Sequence, residues 1–392
     1  MKYSKLKESC DVLSGFAFKS EFFNDKNLGM PLIRIRDLKL RNPKTFFSGD
    51  YSEEYIVNDG DLLVSMDGEF RAYLWDGPSS LLNQRVSKIS VRDDCADLVY
   101  ICYLINNELK NIENKTGFTT VKHLSKKDIE NIEIPFPEKK EQRKIASALA
   151  EADSLIQKRK EVIAKLDELV QSVFIEMFGD PISNPKKWDI VKFGELLQNI
   201  DSGRSPICSN IPALNKEWGV LKLSSVTKGI YMSQENKKTL TGTASDSTIE
   251  VQSGDLLFTR KNTKELVGAC AYVFDTPCHL MMPDTVFRFQ FNQDASVNKL
   301  FIWGLFNNKM YKKTVIQKLA EGSAGSMPNI SKTKLLEMEV LLPPIHIQQE
   351  YALFIKEARE QEAQMFLQLT KLEGNFQSLL HQAFTGRLQF CE

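Results

Sequence analysis

Apolar residues recur in alternating steps of four and three through positions 138–178: Ile145, Leu149, Ala152, Ile156, Ile163, Leu166, Val170, Val173 and Met177, with Arg159 taking one place in the series. That spacing puts them on a single stripe of a helix, the seam of a heptad repeat, and a seam of this kind needs a second helix against it. At 1.5 Å per residue the segment makes a rod of roughly 60 Å, with too narrow an apolar face for an ordinary domain helix.

The chain supplies the second helix itself. A shift of 206 residues lands on Tyr351, Ile355, Ala358, Glu362, Met365, Leu369, Leu372, Phe376, Leu379 and Ala383, apolar except at Glu362, which is expected to face a partner. The same shift superimposes Gln142 on Gln348, Ala146 on Ala352, Lys165 on Lys371, Gln171 on Gln377 and Phe178 on Phe384. One register held over roughly forty residues marks an internal repeat. A twofold relation between repeats would set the two rods antiparallel. The expected division is a globular domain at 1–137, a spacer helix at 138–180, a second domain at 181–343 and a second spacer helix at 344–392.

Between the rods the periodicity changes to that of strands. Leu32, Ile33 and Ile35 interleave with Arg34 and Arg36, which strand alternation would put on one face. Five basic residues (Arg34, Arg36, Lys39, Arg41 and Lys44) accompany only Asp37 there. The stretch is either a solvated strand and turn or a groove for phosphates and base edges. A turn at Asn58, Asp59 and Gly60 leads into a short buried strand and an exposed glycine loop running to Arg71. Asn83, Gln84 and Arg85 then offer an amide pair and an arginine, shapes that suit adenine and guanine edges. A helix is expected near 97–107, and Pro135 and Pro137 end a strand and start the rod.

The second domain repeats this order more loosely. Ser202 and Gly203 answer Ser14 and Gly15, Lys222 answers Arg34, Gly254 and Asp255 answer Gly60 and Asp61, and Pro283, Asp284 and Thr285 answer Asn83, Gln84 and Arg85. Arg260, Lys261 and Lys264 form its basic loop, which is either a solvated surface or a phosphate contact. The skeleton recurs while the polar residues differ.

Charge balance shapes this picture only by exclusion. Lysine plus arginine and aspartate plus glutamate both number 51, so any attraction to nucleic acid must be local. The polar start, without a hydrophobic leader core, and the lack of a long apolar run make the cytoplasm the expected location. Seven cysteines (Cys10, Cys95, Cys102, Cys208, Cys270, Cys278 and Cys391) without a C-x-x-C pair suit reduced thiols, and the four scattered histidines have no metal-site spacing. Phosphate-loop and dinucleotide fingerprints are missing, as is the Asn/Asp-Pro-Pro-aromatic motif of adenine methyltransferases. Asp128, Glu138 and Lys140 have the spacing of a nuclease centre, but the 206-residue shift replaces them with Lys334, Pro344 and His346, so they read better as a charged helix start.

The order of SGFAFKS (14–20), PLIRIRDL (31–38), GDLLVSMDGEF (60–70) and LLNQRV (81–86), with proline, glutamine and a long helix twice over, resembles the specificity (DNA-recognition) subunits of type I restriction-modification systems over essentially the full chain. The resemblance implies an α+β, pseudo-twofold molecule: two homologous mixed α/β target-recognition domains separated by two long antiparallel coiled-coil spacer helices. It also implies a non-catalytic protein without its own cofactor. Such a protein would bind double-stranded DNA at a bipartite site. It would recruit two methyltransferase subunits holding S-adenosylmethionine, and restriction subunits using ATP. The residues expected at DNA are Lys19, Arg34, Arg36, Arg71, Gln84 and Arg85 in the first domain, with Arg204, Lys222, Arg260 and Lys261 in the second. A non-enzymatic coiled-coil scaffold with two ligand-binding lobes is the alternative.

If the rods act as a ruler, inserting one heptad into both should change the number of unread base pairs and leave both half-sites intact. Mapping the recognised sequence checks this, and altered half-sites would end the ruler idea.

Overall fold

Both heptad stripes are continuous helices, Lys139–Phe178 and Ile345–Thr385, in the computed structural model, which describes residues 3–115, 123–214, 216–240, 246–321, 327–388 and 390. Cys391 lies outside the described residues. The first helix stops where Gly179 turns left-handed (φ 79°), the conformation glycine adopts at least cost. Its last carbonyls are taken up by neighbours: the Trp188 indole donates to Phe178 O at 2.9 Å, and Lys186 Nζ donates to Glu176 O at 2.7 Å.

Two compact units make up the chain, 1–161 with 366–392 and 162–365, so each long helix gives one half to each unit. In the first unit Ile145 and Leu149 share a core with Leu380 and Ala383, while Lys160 pairs with Glu373 at 2.9 Å. As one helix ascends the other descends, so they run antiparallel there. In the second unit Phe174 and Phe178 meet Tyr351 edge-on at 5.6 and 5.3 Å, beside buried Ile355 and Ala358.

Each unit has the same plan. The first carries an antiparallel sheet in the order Cys10–Ser14, Val86–Val91, Leu62–Ser65, Ala72–Leu74, and the second carries Leu197–Ser202, Val286–Phe291, Leu256–Thr259, Cys270–Tyr272. The central short strands, Leu62–Ser65 and Leu256–Thr259, are buried at every position, as their unbroken apolar runs require. A second sheet in each unit contains one parallel pair: Met30–Ile33 with Ser80–Leu82, and Gly219–Leu221 with Leu280–Met281. Tyr3–Lys5 pairs with Glu133–Pro135, and Asp189–Lys192 with Glu339–Leu342, so the first strand of each repeat is laced to the strand just before the following long helix.

Three expectations need correction. The run from Leu32 to Arg36 is not one strand: it ends at Ile33, and a helix, Ile35–Leu40, follows, with the Asp37 carboxylate accepting from the Arg34 amide at 3.0 Å. Arg34 and Arg36 therefore do not share a strand face, because a local carboxylate cap outcompetes β alternation. The helix expected near 97–107 runs Leu98–Lys115, since Leu109 extends the buried face of Leu104 and Ile105. Glu362 does not reach outward. It is 9% exposed and bonded to Arg359, whose guanidinium lies 5.1 Å over the Trp303 ring.

Asp128 serves as a cap, its carboxylate accepting from the Ser125 amide at 2.9 Å. Each long helix is tied down by a fully buried glutamine. Gln142 accepts from the Asp97 amide (2.9 Å) and donates to Pro137 O (2.8 Å) and Cys95 O (3.4 Å). Gln348 accepts from the Asn298 amide (2.8 Å) and donates to Pro343 O (2.6 Å) and Ser296 O (3.2 Å).

Replacing either glutamine with alanine strands a buried amide and should cost about 1–3 kcal/mol. Denaturant titration of Gln142→Ala and Gln348→Ala checks this, and unchanged midpoints would show that the carboxamides are dispensable.

Candidate nucleic-acid interface

Backbone hydrogen bonds gather four strand ends at one edge of the first unit. The Gly15 amide donates to Val86 O and the Phe16 amide to Leu82 O, both at 2.9 Å, joining the end of the first sheet to the end of Ser80–Leu82. Contact is close enough that a Cβ on Gly15 would stand 2.1 Å from Asn83 O, so only glycine fits. The parallel register of Ile33 with Leu82 leads Arg34 out next to Asn83. The Met66 amide donates to Arg85 O at 3.0 Å and the Leu124 amide to Met66 O at 2.7 Å, which brings Asp67 and His123 to the same edge.

The second unit repeats this stitching. The Arg204 amide donates to Met282 O (3.0 Å), the Arg260 amide to Thr285 O (3.0 Å), and the Ile330 amide to Arg260 O (2.8 Å). A Cβ on Gly203 would stand 2.2 Å from Met282 O. Asp67 bridges His123 in the first unit as Lys261 bridges Asn329 in the second. The frame is common to both, and the side chains on it are not.

Placement of the expected DNA residues follows from this frame. Lys19 is exposed, with no side-chain partner among the described residues. The Arg34 guanidinium lies 5.2 Å over the Phe23 ring. Arg36 stands 3.8 Å from Asp37, and Arg71 Nε donates to Glu69 at 2.9 Å, so each is held by a local acid. Gln84 is exposed, and Arg85 Nη1 meets Asp67 at 2.8 Å. In the second unit Arg204 pairs with Asp246 (3.1 Å) and Lys222 with Glu235 (3.6 Å). Lys261 is half-buried, and Arg260 lies 5.2 Å over Phe287 with a buried Nε that has no acceptor among the described residues.

The electrostatics at this edge are those of cations on loan. Hydrogen bonds from Thr248, then the Arg204 charge, hold the Asp246 carboxyl below its usual range, and the Ser224 hydroxyl with Lys222 does the same for Glu235. Burial pushes the Asp37 carboxyl up. Exposed ion pairs like Arg204–Asp246 are worth about 0–1 kcal/mol, so their cations can turn to a phosphate at little cost.

Sequence reasoning singled out Asn83 with Gln84 and Arg85, and Asp284 as the counterpart of Gln84, but not Asp67, His123 or Asn329 as members of this edge. Asp67 and Arg85 meet only through strand pairing, which leaves no mark in local sequence. For His123 a signal existed: the 206-residue shift sets it on Asn329 just as it sets the helix cap Ser125 on the cap Ser331.

A model of the type I restriction modification DNA specificity domain matches residues 1–167 and again 185–362. The chain belongs to that family. It is 39% identical over 161 residues to the type I restriction enzyme EcoBI specificity subunit of Escherichia coli, a match covering 41% of this chain and 33% of that subunit. With the MjaVIII specificity subunit of Methanocaldococcus jannaschii it shares 25% identity over 326 residues, covering 77% of this chain and 72% of the relative. The chain thus spans about a third of the E. coli relative's length and most of the archaeal one's. A crystal structure of a type I restriction-modification S subunit from M. genitalium superimposes with a TM-score of 0.59 at 13% identity, covering 100% of this chain and 96% of that one, a likeness of fold. The four-stranded sheets and long helices of this chain make it an α+β fold with the specificity domain duplicated.

Gly15→Ala and Gly203→Ala should each push the strand ends of one specificity domain apart, at a cost of about 1–3 kcal/mol. Hydrogen exchange should then quicken at the Phe16 or Arg204 amide, and unchanged protection would mean that the edge is looser than its hydrogen bonds imply.

Proposed function

We propose that this chain is the non-catalytic DNA-recognition subunit of a type I restriction-modification complex, reading a bipartite double-stranded target with one half-site per specificity domain. The observation that supports it is the repeated frame of strand ends, which carries Asp67, Gln84, Arg85 and His123 in one unit and Lys261, Asp284, Thr285 and Asn329 in the other. One scaffold bearing two sets of polar side chains suits the reading of two different sequences. Gln84 and Arg85 have the geometry for adenine and guanine edges in the major groove, and Arg34, Lys19, Arg204, Lys222, Arg260 and Lys261 would set register on phosphates.

The gap between half-sites would be a property of the long helices. The chain would need no cofactor. Two methyltransferase subunits would bring S-adenosylmethionine and restriction subunits would use ATP, all working in the cytoplasm. Among the described residues no helix is long and apolar enough to cross a membrane.

Co-expression with a type I methyltransferase subunit from the same source, followed by mapping of N6-methyladenine across the genome, tests the proposal. A single split motif with a fixed gap is expected; a contiguous motif, or none from a stable complex, would sink it. Within that motif, alanine at a base-reading arginine should cost about 1–3 kcal/mol at one position, and alanine at a phosphate-binding lysine should weaken all sequences alike.

A further inference from the structure

The carboxylate of Asp67 holds two side chains at once, in an ion pair with Arg85 Nη1 at 2.8 Å and a hydrogen bond with His123 Nδ1 at 2.6 Å. Asp67 is only 19% exposed while Arg85 and His123 are 53% and 51% exposed, so a sheltered acid holds two solvent-facing tips. Their backbones are fixed as well: Met66, next to Asp67, accepts from the Leu124 amide at 2.7 Å and donates to Arg85 O at 3.0 Å. Side chains ordered before binding lose less entropy on meeting a ligand.

We infer that Asp67 is a positioning residue that aims Arg85 of the first domain at the guanine, and His123 at the cytosine, of one G·C pair in one half-site, an inference that rests on the DNA-recognition reading above. With Nη1 engaged by Asp67, the remaining guanidinium nitrogens are donors only. A His123 that gives Nδ1–H to Asp67 turns Nε2 outward as an acceptor, which suits the N4 amine of the cytosine paired with that guanine. Guanine is the base whose major-groove edge shows two acceptors, N7 and O6, side by side, the pattern an arginine fork matches. An arginine can also serve a phosphate, as proposed for Arg204; Arg85 differs in that its acid anchors His123 as well, which fixes the direction of the fork as a base edge requires. The trio belongs to one half-site alone, because the corresponding frame positions in the second domain hold Lys261, Thr285 and Asn329.

The test is selection from a duplex library with both half-sites randomised, using the full chain in complex with its methyltransferase subunits. Wild type, Asp67→Asn, Arg85→Ala, Arg85→Lys and His123→Ala would be compared, together with affinity for unrelated duplex. The expected result is that Asp67→Asn and Arg85→Ala relax the same single guanine by about ten-fold or more, the second half-site is untouched, and the double variant is no worse than Arg85→Ala. Unrelated duplex should bind Asp67→Asn as well as or better than wild type, since a negative charge has gone; a merely structural acid would lower both. Should Asp67→Asn fail to fold, Arg85→Lys keeps the charge but loses the fork, and should lose the guanine preference alone. Uniform loss over all sequences, or an unchanged motif, overturns the assignment while leaving bipartite recognition standing. A wild-type chain with no split preference would overturn both.

Discussion

Each lobe depends on one buried carboxamide at the foot of its long helix. A glutamine side chain is a donor and an acceptor on one rigid plane, so it can satisfy an amide and a carbonyl from two different segments at once. Gln142 does this between the loop at Cys95 and Asp97 and the proline that starts the helix, and Gln348 does it between Ser296, Asn298 and Pro343. An apolar residue there would leave those groups buried without partners, the costly half of hydrogen-bond energetics. The long helix is therefore keyed to its lobe by polar satisfaction, while the heptad stripe supplies the apolar area.

A second constraint acts at the opposite ends of the strands. Gly15 and Gly203 let the chain approach a neighbouring carbonyl more closely than any side chain permits, and the amides that follow lock onto Leu82 and Met282. With the backbone held by such contacts, the outward side chains are released from any packing role. That separation explains how one frame carries an acid, an arginine and a histidine in one specificity domain and a lysine, a threonine and an asparagine in the other. The neutral overall charge is compatible with such an edge. The cations at the edge are mostly matched by nearby acids, Asp246 with Arg204 and Glu235 with Lys222, and the field is local.

The second domain buries an ion cluster where apolar side chains would be expected. Arg288 is 7% exposed yet meets Asp201 and Asp255 at 2.9 and 3.1 Å and donates to two backbone carbonyls, Glu250 O and Thr248 O. Every direction of its guanidinium is answered, so the charge is tolerated. In the first domain the corresponding turn is served by Lys88, which stands 3.6 Å from Asp61 and donates to Ile56 O at 3.0 Å. The aspartate of each turn is legible beside its glycine, at Gly60 and Gly254; the partner cation is not, because it arrives from another strand.

Periodicity and repetition by themselves determined the two long helices, the doubled order of elements, the buried short strands and the glycine turns, since each of these is written in neighbouring residues or in a fixed shift. Tertiary structure alone decided what depends on segments distant in sequence. Arg359, lying over the distant Trp303 ring, drew Glu362 inward, whereas the strand that the Arg34 and Arg36 alternation suggested was ended locally, by the Asp37 cap. Asp67, Arg85 and His123 became neighbours only when their strands paired. A helix stripe repeats within one segment and so announces itself. A recognition edge is assembled from several strand ends, and no single stretch of chain contains it.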